Sequence, residues 1–213
     1  GRPMNRGRPA GRCFLVGGHS RIDGKTALAE ALVRAVGPRP VATMKVSAHR
    51  HGGGHFAIEE HAEPTLATST GRCLAAGAAR AFLCRCPDGH LHEVTALVRV
   101  LSSGGYDVVV ESNRMAPLVA ADLTLFVASS DTPDRKTSSD LCLARADALV
   151  LAPGSLVSPR VRGAVETHRL GLMPVLRFDP TWRIPGLPRW LSFMTRRGGR
   201  LPVPRQMSVQ PHR

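Results

Sequence analysis

The sequence predicts a three-layer αβα domain organised on a mostly parallel sheet, and three observations carry that expectation. Short apolar runs alternate with segments of helical periodicity, the pattern of repeated βα units. A glycine-bearing loop, Val16-Gly17-Gly18-His19-Ser20-Arg21-Ile22-Asp23-Gly24-Lys25-Thr26, stands between the first such run and the first such helix. Later, Tyr106-Asp107-Val108-Val109-Val110-Glu111-Ser112-Asn113 reads as a buried parallel strand that ends in a carboxylate.

The loop comes first in the argument. Strand, glycine loop and helix place backbone N–H groups and a helix N-terminus at one point, which suits an anion without any particular side chain. Lys25 then reaches the outer phosphates of a nucleotide and the Thr26 hydroxyl holds magnesium. The spacing departs from Gly-x4-Gly-Lys-Ser/Thr, because His19 falls where the first glycine belongs and the available glycines are Gly17 and Gly18. Gly18, His19, Ser20, Arg21, Asp23, Gly24, Lys25 and Thr26 are the candidate phosphate-binding residues. Asp23 is an oddity among them, since a carboxylate beside phosphates repels them unless it turns away or meets the metal.

The elements follow in order. Arg12–Val16 is a strand and Lys25–Val36 a helix stopped by Gly37-Pro38. Pro40–Val46 is a second strand with Lys45 near its C-terminal end, the edge at which open α/β sheets bind ligands, so Lys45 is expected to face the same phosphates. His49, His51, His55 and His61 follow with Glu59, Glu60 and Glu63 around Gly52-Gly53-Gly54, read as a flexible polar loop that orders over nucleotide. Thr70–Ala79 is a helix of small residues and Ala81–Cys86 a strand. Cys84, Cys86, His90 and His92 are four soft ligands that can in principle hold zinc, although the spacing fits no standard finger and buried free cysteines are as compatible.

Glu93–Leu101 is an amphipathic helix, and the strand after it delivers Glu111 to the ligand edge, near the magnesium. Asp122–Ala128 is another strand. It leads into the polar loop Ser129–Thr137, where Asp134 and Lys136 are candidates for holding base or ribose; the order is not the Asn-Lys-x-Asp that specifies guanine. A helix to Ala146, a strand Asp147–Leu151, a helix Val161–Leu170 and a last strand Met173–Phe178 complete the domain.

Charge separates the ends from the middle. The formal net charge is +13, yet residues 13–159 balance fourteen basic against fourteen acidic side chains. The excess lies in residues 1–12 and 160–213, so the chain reads as a basic leader over 1–11, a nucleotide-binding domain over 12–178 and a Pro/Arg-rich extension over 179–213. The leader is expected to be disordered and carries no apolar segment of a secretory signal. Trp190-Leu191-Ser192-Phe193-Met194 among arginines suits an anionic surface or protein client, or a tail folding onto its own domain. Five cysteines at irregular spacing make no disulfide framework and point to a reducing, cytoplasmic setting. Of 29 basic residues only Lys25, Lys45 and Lys136 are lysines. Where arginine is so favoured, a retained ammonium suggests a chemical requirement.

Four stretches together resemble a P-loop NTPase of the branch containing the molybdopterin-guanine dinucleotide biosynthesis protein B family and metallocentre-assembly GTPases. They are Gly17-Gly18-His19-Ser20 with Gly24-Lys25-Thr26, Val41-Ala42-Thr43-Met44-Lys45, Arg72-Cys73-Leu74-Ala75-Ala76-Gly77-Ala78, and Val108-Val109-Val110-Glu111-Ser112-Asn113. The resemblance covers roughly residues 12–152 and implies a magnesium nucleotide and often a homodimer. Ser20 stands where the dimerising ATPases with a deviant loop carry lysine. The expected function is magnesium-dependent binding of ATP or GTP with slow hydrolysis, coupled to a partner or a cofactor-assembly step. Lys25, Glu111 and Lys45 are the expected catalytic residues and Thr26 with Glu111 the metal ligands. Alternatives are a small-molecule kinase of the same fold, or a metal- or nucleic-acid-binding module with a vestigial nucleotide site.

Overall fold

The computed structural model describes residues 10–19, 24–48, 55–128, 137–156 and 173–196. Its strands are β1 (Cys13–Gly18), β2 (Val41–Ser47), β3 (Ala57–His61), β4 (Arg80–Arg85), β5 (Asp107–Glu111), β6 (Leu123–Ala128), β7 (Ala148–Leu151) and β8 (Val175–Arg177). Its helices are α1 (Lys25–Ala35), α2 (Ser69–Ala75), α3 (Leu91–Ser103), α4 (Thr137–Leu143) and α5 (Leu187–Arg196). The strands form one sheet in the order β3-β4-β2-β5-β1-β6-β7-β8, parallel throughout except for β3, which runs antiparallel to β4.

Period-2 alternation divides the strand side chains between two cores. Cys13, Leu15, Met44, Val108 and Val110 point to the layer of α3 and α4. Phe14, Val16, Val41 and Val109 point to the layer of α1, α2 and α5. Glu111 is two residues beyond Val109 and Lys45 two beyond Thr43, so both emerge on the α1 and α2 side. They are also Cα partners across β5 and β2. Parity and register thus put the two charged candidates side by side.

One expectation needs correction, and one open alternative is answered. The stretch read as a polar loop from His49 onward contains an edge strand: β3 pairs with β4, and its acids are held across the ladder, Glu59 by Arg85 and Glu60 by Arg80 at 2.6 Å through both oxygens. Charged side chains on an edge strand are how sheets resist further pairing, and they hide the strand from a reading based on apolar alternation. Cys84, Cys86, His90 and His92 do not gather. Both thiols face the core beneath α3, while His90 Nδ1 and His92 Nδ1 each approach the Glu93 carboxylate. Among the described residues no group of three His, Cys, Asp or Glu side chains is placed to hold a metal ion.

The aromatic stretch near the C-terminus folds back. Leu187, Leu191 and Met194 of α5 are buried in the layer of α1. No helix among the described residues is long and apolar enough to cross a membrane. The segment 161–170, read as a helix, lies outside the described residues, as do the leader 1–9 and residues 197–213.

Candidate functional site

The site lies at the carboxyl edge of the sheet, where β1 ends between β5 and β6. Strand β1 runs two residues further than apolar character suggests, through Gly17 and Gly18, which pair with Phe126 and Val127. Both glycines are required by what lies against them. A Cβ on Gly17 would collide with the Cys142 thiol and sit 2.7 Å from Asn113 Oδ1; one on Gly18 would sit 3.1 Å from the Lys25 stem. The Lys25 side chain therefore folds back over the end of β1.

Asn113 clamps this end. Its Oδ1 accepts from the Gly18 N–H at 2.9 Å, and its amide nitrogen donates to the Gly18 carbonyl at 2.7 Å and to Ser139 Oγ at 3.2 Å. Gly18, expected among the phosphate-binding amides, has its N–H committed to Asn113 and contributes instead the room for Lys25. His19 turns toward the sheet and meets the Phe126 ring edge-on at 4.8 Å.

Gly24 is the N-cap of α1 in the left-handed region, φ 84° and ψ 15°. Among the described residues no side chain caps this helix, and no acid occupies its first turn. Its positive dipole end and leading amides thus meet no counter-group among the described residues. A Cβ at Gly24 would lie 2.5 Å from the Trp182 ring, a second reason for glycine beside the positive φ.

Thr26, one turn position beyond Lys25, faces the sheet. Its hydroxyl donates to Glu111 Oε2 at 3.1 Å and lies 3.3 Å from Ser69 Oγ. Lys45 Nζ is 3.2 Å from Glu111 Oε1 and donates to Ser69 Oγ at 2.7 Å. Four side chains from α1, β2, α2 and β5 thus close one polar ring beside a cavity of about 10 Å³, roughly the space of one water. Below it, burial pushes the Cys73 thiol up to about 11, with Glu111 and Glu30 adding to the rise against a lowering hydrogen bond from Thr43. Cys142, behind Gly17, is pushed up to about 12 by burial despite the nearby Lys25 ammonium. Both thiols are packing groups rather than nucleophiles.

Of the residues expected here, Gly18, Gly24, Lys25, Thr26, Lys45 and Glu111 come together at this edge. Ser20, Arg21, Asp23, Asp134 and Lys136, with the histidines at 49 and 51, lie outside the described residues. His55 is exposed, and His61 Nδ1 is 2.9 Å from Thr70 Oγ1, on the edge strand. Ser69, Ser139 and Trp182 were not legible as site residues, and Asn113 was legible only as the end of a strand. Serines and asparagines carry no spacing signature, and Trp182 arrives from a segment more than 150 residues beyond the loop it touches.

A mostly parallel sheet between two helical layers, its central strand leading to a helix that opens Gly-Lys-Thr, is a three-layer αβα fold like that of the P-loop NTPases. Solved structures share that fold. The chain superposes on HypB from Helicobacter pylori in complex with nickel with TM-score 0.58 and 11% identity, covering 92% of each chain. It superposes on a LAO/AO transport system kinase with TM-score 0.52 and 19% identity, covering 90% of this chain and 61% of that one. At such identities the likeness is one of fold. By sequence, neither a protein family nor a curated protein matches the chain.

Proposed function

We propose that the chain binds ATP or GTP with magnesium and hydrolyses it slowly, its conformation coupled to a partner or a cofactor-assembly step. The observation that carries this reading is the contact of Thr26 Oγ1 with Glu111 Oε2 at 3.1 Å in the first turn of α1, whose N-cap is Gly24. A hydroxyl and a carboxylate meeting there supply hard oxygen donors of the kind magnesium takes while keeping several waters. The Lys45 ammonium on the other Glu111 oxygen is a cation already resident at that carboxylate, consistent with a place for positive charge. Magnesium bound there would neutralise charge on the phosphate oxygens.

The chain's own residues carry the remaining work. Lys25 and the leading amides of α1 hold the phosphates and stabilise the charge that develops on them. Thr26 and Glu111 fix the cation, and Lys45 with Ser69 fixes Glu111. Calorimetric titration with MgATP and MgGTP tests the assignment. Lys25→Ala is expected to weaken nucleotide binding at least tenfold, roughly 1.4 kcal/mol or more. An affinity within a few-fold of the parent would remove Lys25 from the phosphates.

The likeness in fold to a transport-system kinase supports a second reading, transfer of the phosphoryl group to a small acceptor. Phosphate release in buffer alone favours hydrolysis; nucleotide consumption that requires an added metabolite favours transfer. The homodimer and the client remain proposals, tested by light scattering with and without nucleotide.

A further inference from the structure

Trp182 is the one residue other than glycine with positive φ among the described residues, at 57°. Bulky side chains rarely adopt that region, so something must hold it there, and such outliers gather where geometry serves a site. What holds it is a built turn just beyond β8. The Asp179 carboxylate accepts from the N–H of Thr181 at 2.9 Å, from its hydroxyl at 2.7 Å and from the N–H of Arg183 at 3.0 Å. The Trp182 N–H donates to the Asp179 carbonyl at 3.0 Å, and the Phe178 ring backs the indole at 5.2 Å.

The turn delivers the indole to one place. Its six-membered ring lies against Gly24, so close that a Cβ there would be 2.5 Å away. Despite that contact and its backing by Phe178, Trp182 is 41% exposed. An aromatic surface is thus left open beside the start of the helix expected to hold phosphates, at the carboxyl ends of β1 and β8. The first residues after β7, Ala152-Pro153-Gly154-Ser155, carry no charge with which to read a base edge, and Asp134 and Lys136 lie outside the described residues.

We propose that Trp182 is the stacking platform for the nucleobase, with purine nucleoside triphosphates as the ligand class. The inference rests on the nucleotide-binding reading above. Stacking rewards the larger π-face of a purine and tolerates either purine, because every base has such a face. ATP and GTP therefore bind within a few-fold of each other, and both bind more tightly than CTP or UTP.

The test uses the full chain carrying Trp190→Phe, which leaves Trp182 as the single tryptophan, excited at about 295 nm to avoid Tyr106. MgATP and MgGTP are expected to change its emission saturably. Magnesium tripolyphosphate, which has no base, is expected to compete with them while leaving emission unchanged. Trp182→Ala, confirmed folded by circular dichroism, should weaken MgATP binding about tenfold and tripolyphosphate binding less than twofold. Trp182→Phe should recover most of the loss. Equal weakening of both ligands would make Trp182 a prop for Gly24 and overturn the proposal, as would no change in either. If neither ligand binds the parent, the phosphate site itself falls, and the base platform with it.

Discussion

At the scale of single residues, the site turns on how one carboxylate is shared. Glu111 is buried to 8% exposure and holds Thr26 with one oxygen and Lys45 with the other. Glu111→Gln keeps the shape and removes the charge. We expect it to weaken nucleotide binding in the presence of magnesium about tenfold or more, and to leave binding in excess EDTA unchanged or improved, since a negative charge near the phosphates is gone. Equal loss in both conditions, measured by calorimetry, would argue that Glu111 only shapes the pocket. Asp147 supplies a pH prediction of definite sign. Burial raises its carboxyl above the usual range even though the carboxylate accepts from the Thr124 N–H at 2.7 Å. A raised folded value means that stability is fully present below the unfolded value of about 4 and is lost as pH rises through the folded one. Asp147→Asn keeps an oxygen for Thr124 and does not titrate. Its melting temperature relative to the parent should therefore climb between pH 3.5 and 7.5; a difference that is flat or falls with pH refutes the account. The charged pair was legible residue by residue, because Lys and Glu at strand ends carry chemistry in their side chains. The clamp by Asn113 and Ser139 was not, because their roles depend on atoms 95 and 121 positions away.

At the scale of elements, the helices are held by apolar stripes whose partners are distant in sequence. Leu191 of α5 is 2% exposed in the layer shared with α1. Leu191→Ala deletes buried methyl groups and leaves a cavity, costing about 2–4 kcal/mol. Urea unfolding should register that loss, and a change below 0.5 kcal/mol would show that α5 is not docked. The strands protect the thiols. All five cysteines are buried, and burial pushes Cys13, Cys84 and Cys142 up to about 12. Iodoacetamide at pH 8 should label none of them in the folded protein and all five after denaturation, counted by mass spectrometry; rapid native labelling of Cys84 or Cys86 would reopen a metal or redox role. The cysteine pattern is an instance in which sequence proximity misleads. Thiols two apart on a strand share a face, but that face lies under α3, and the following turn carries the histidines to Glu93.

At the scale of the whole molecule, ligand binding and folding are linked. A nucleotide that binds only the folded state stabilises it by about 2.7 kcal/mol at a hundred times its dissociation constant. For a chain of this size that raises the melting temperature by about 5–10 °C. MgATP and MgGTP should both produce the shift, and EDTA should reduce it; no shift at millimolar nucleotide would contradict a nucleotide site. The balanced charge of residues 13–159 accords with an ordinary folded domain, so the basic excess describes the ends of the chain and not its core.

The sequence by itself determined the αβα class, the elements β1, α1 and β2 and those from α2 to β7, and the meeting of Thr26, Lys45 and Glu111 at one edge. Those follow from local periodicity and from the rule that parallel strands present their carboxyl ends together. Only the tertiary structure decided the antiparallel edge strand β3, the bridging hydroxyl of Ser69, and the arrival of Trp182 at Gly24. The reason is physical: each depends on which strands are neighbours, and the order β3-β4-β2-β5-β1-β6-β7-β8 brings together residues whose separation along the chain leaves no local pattern to read.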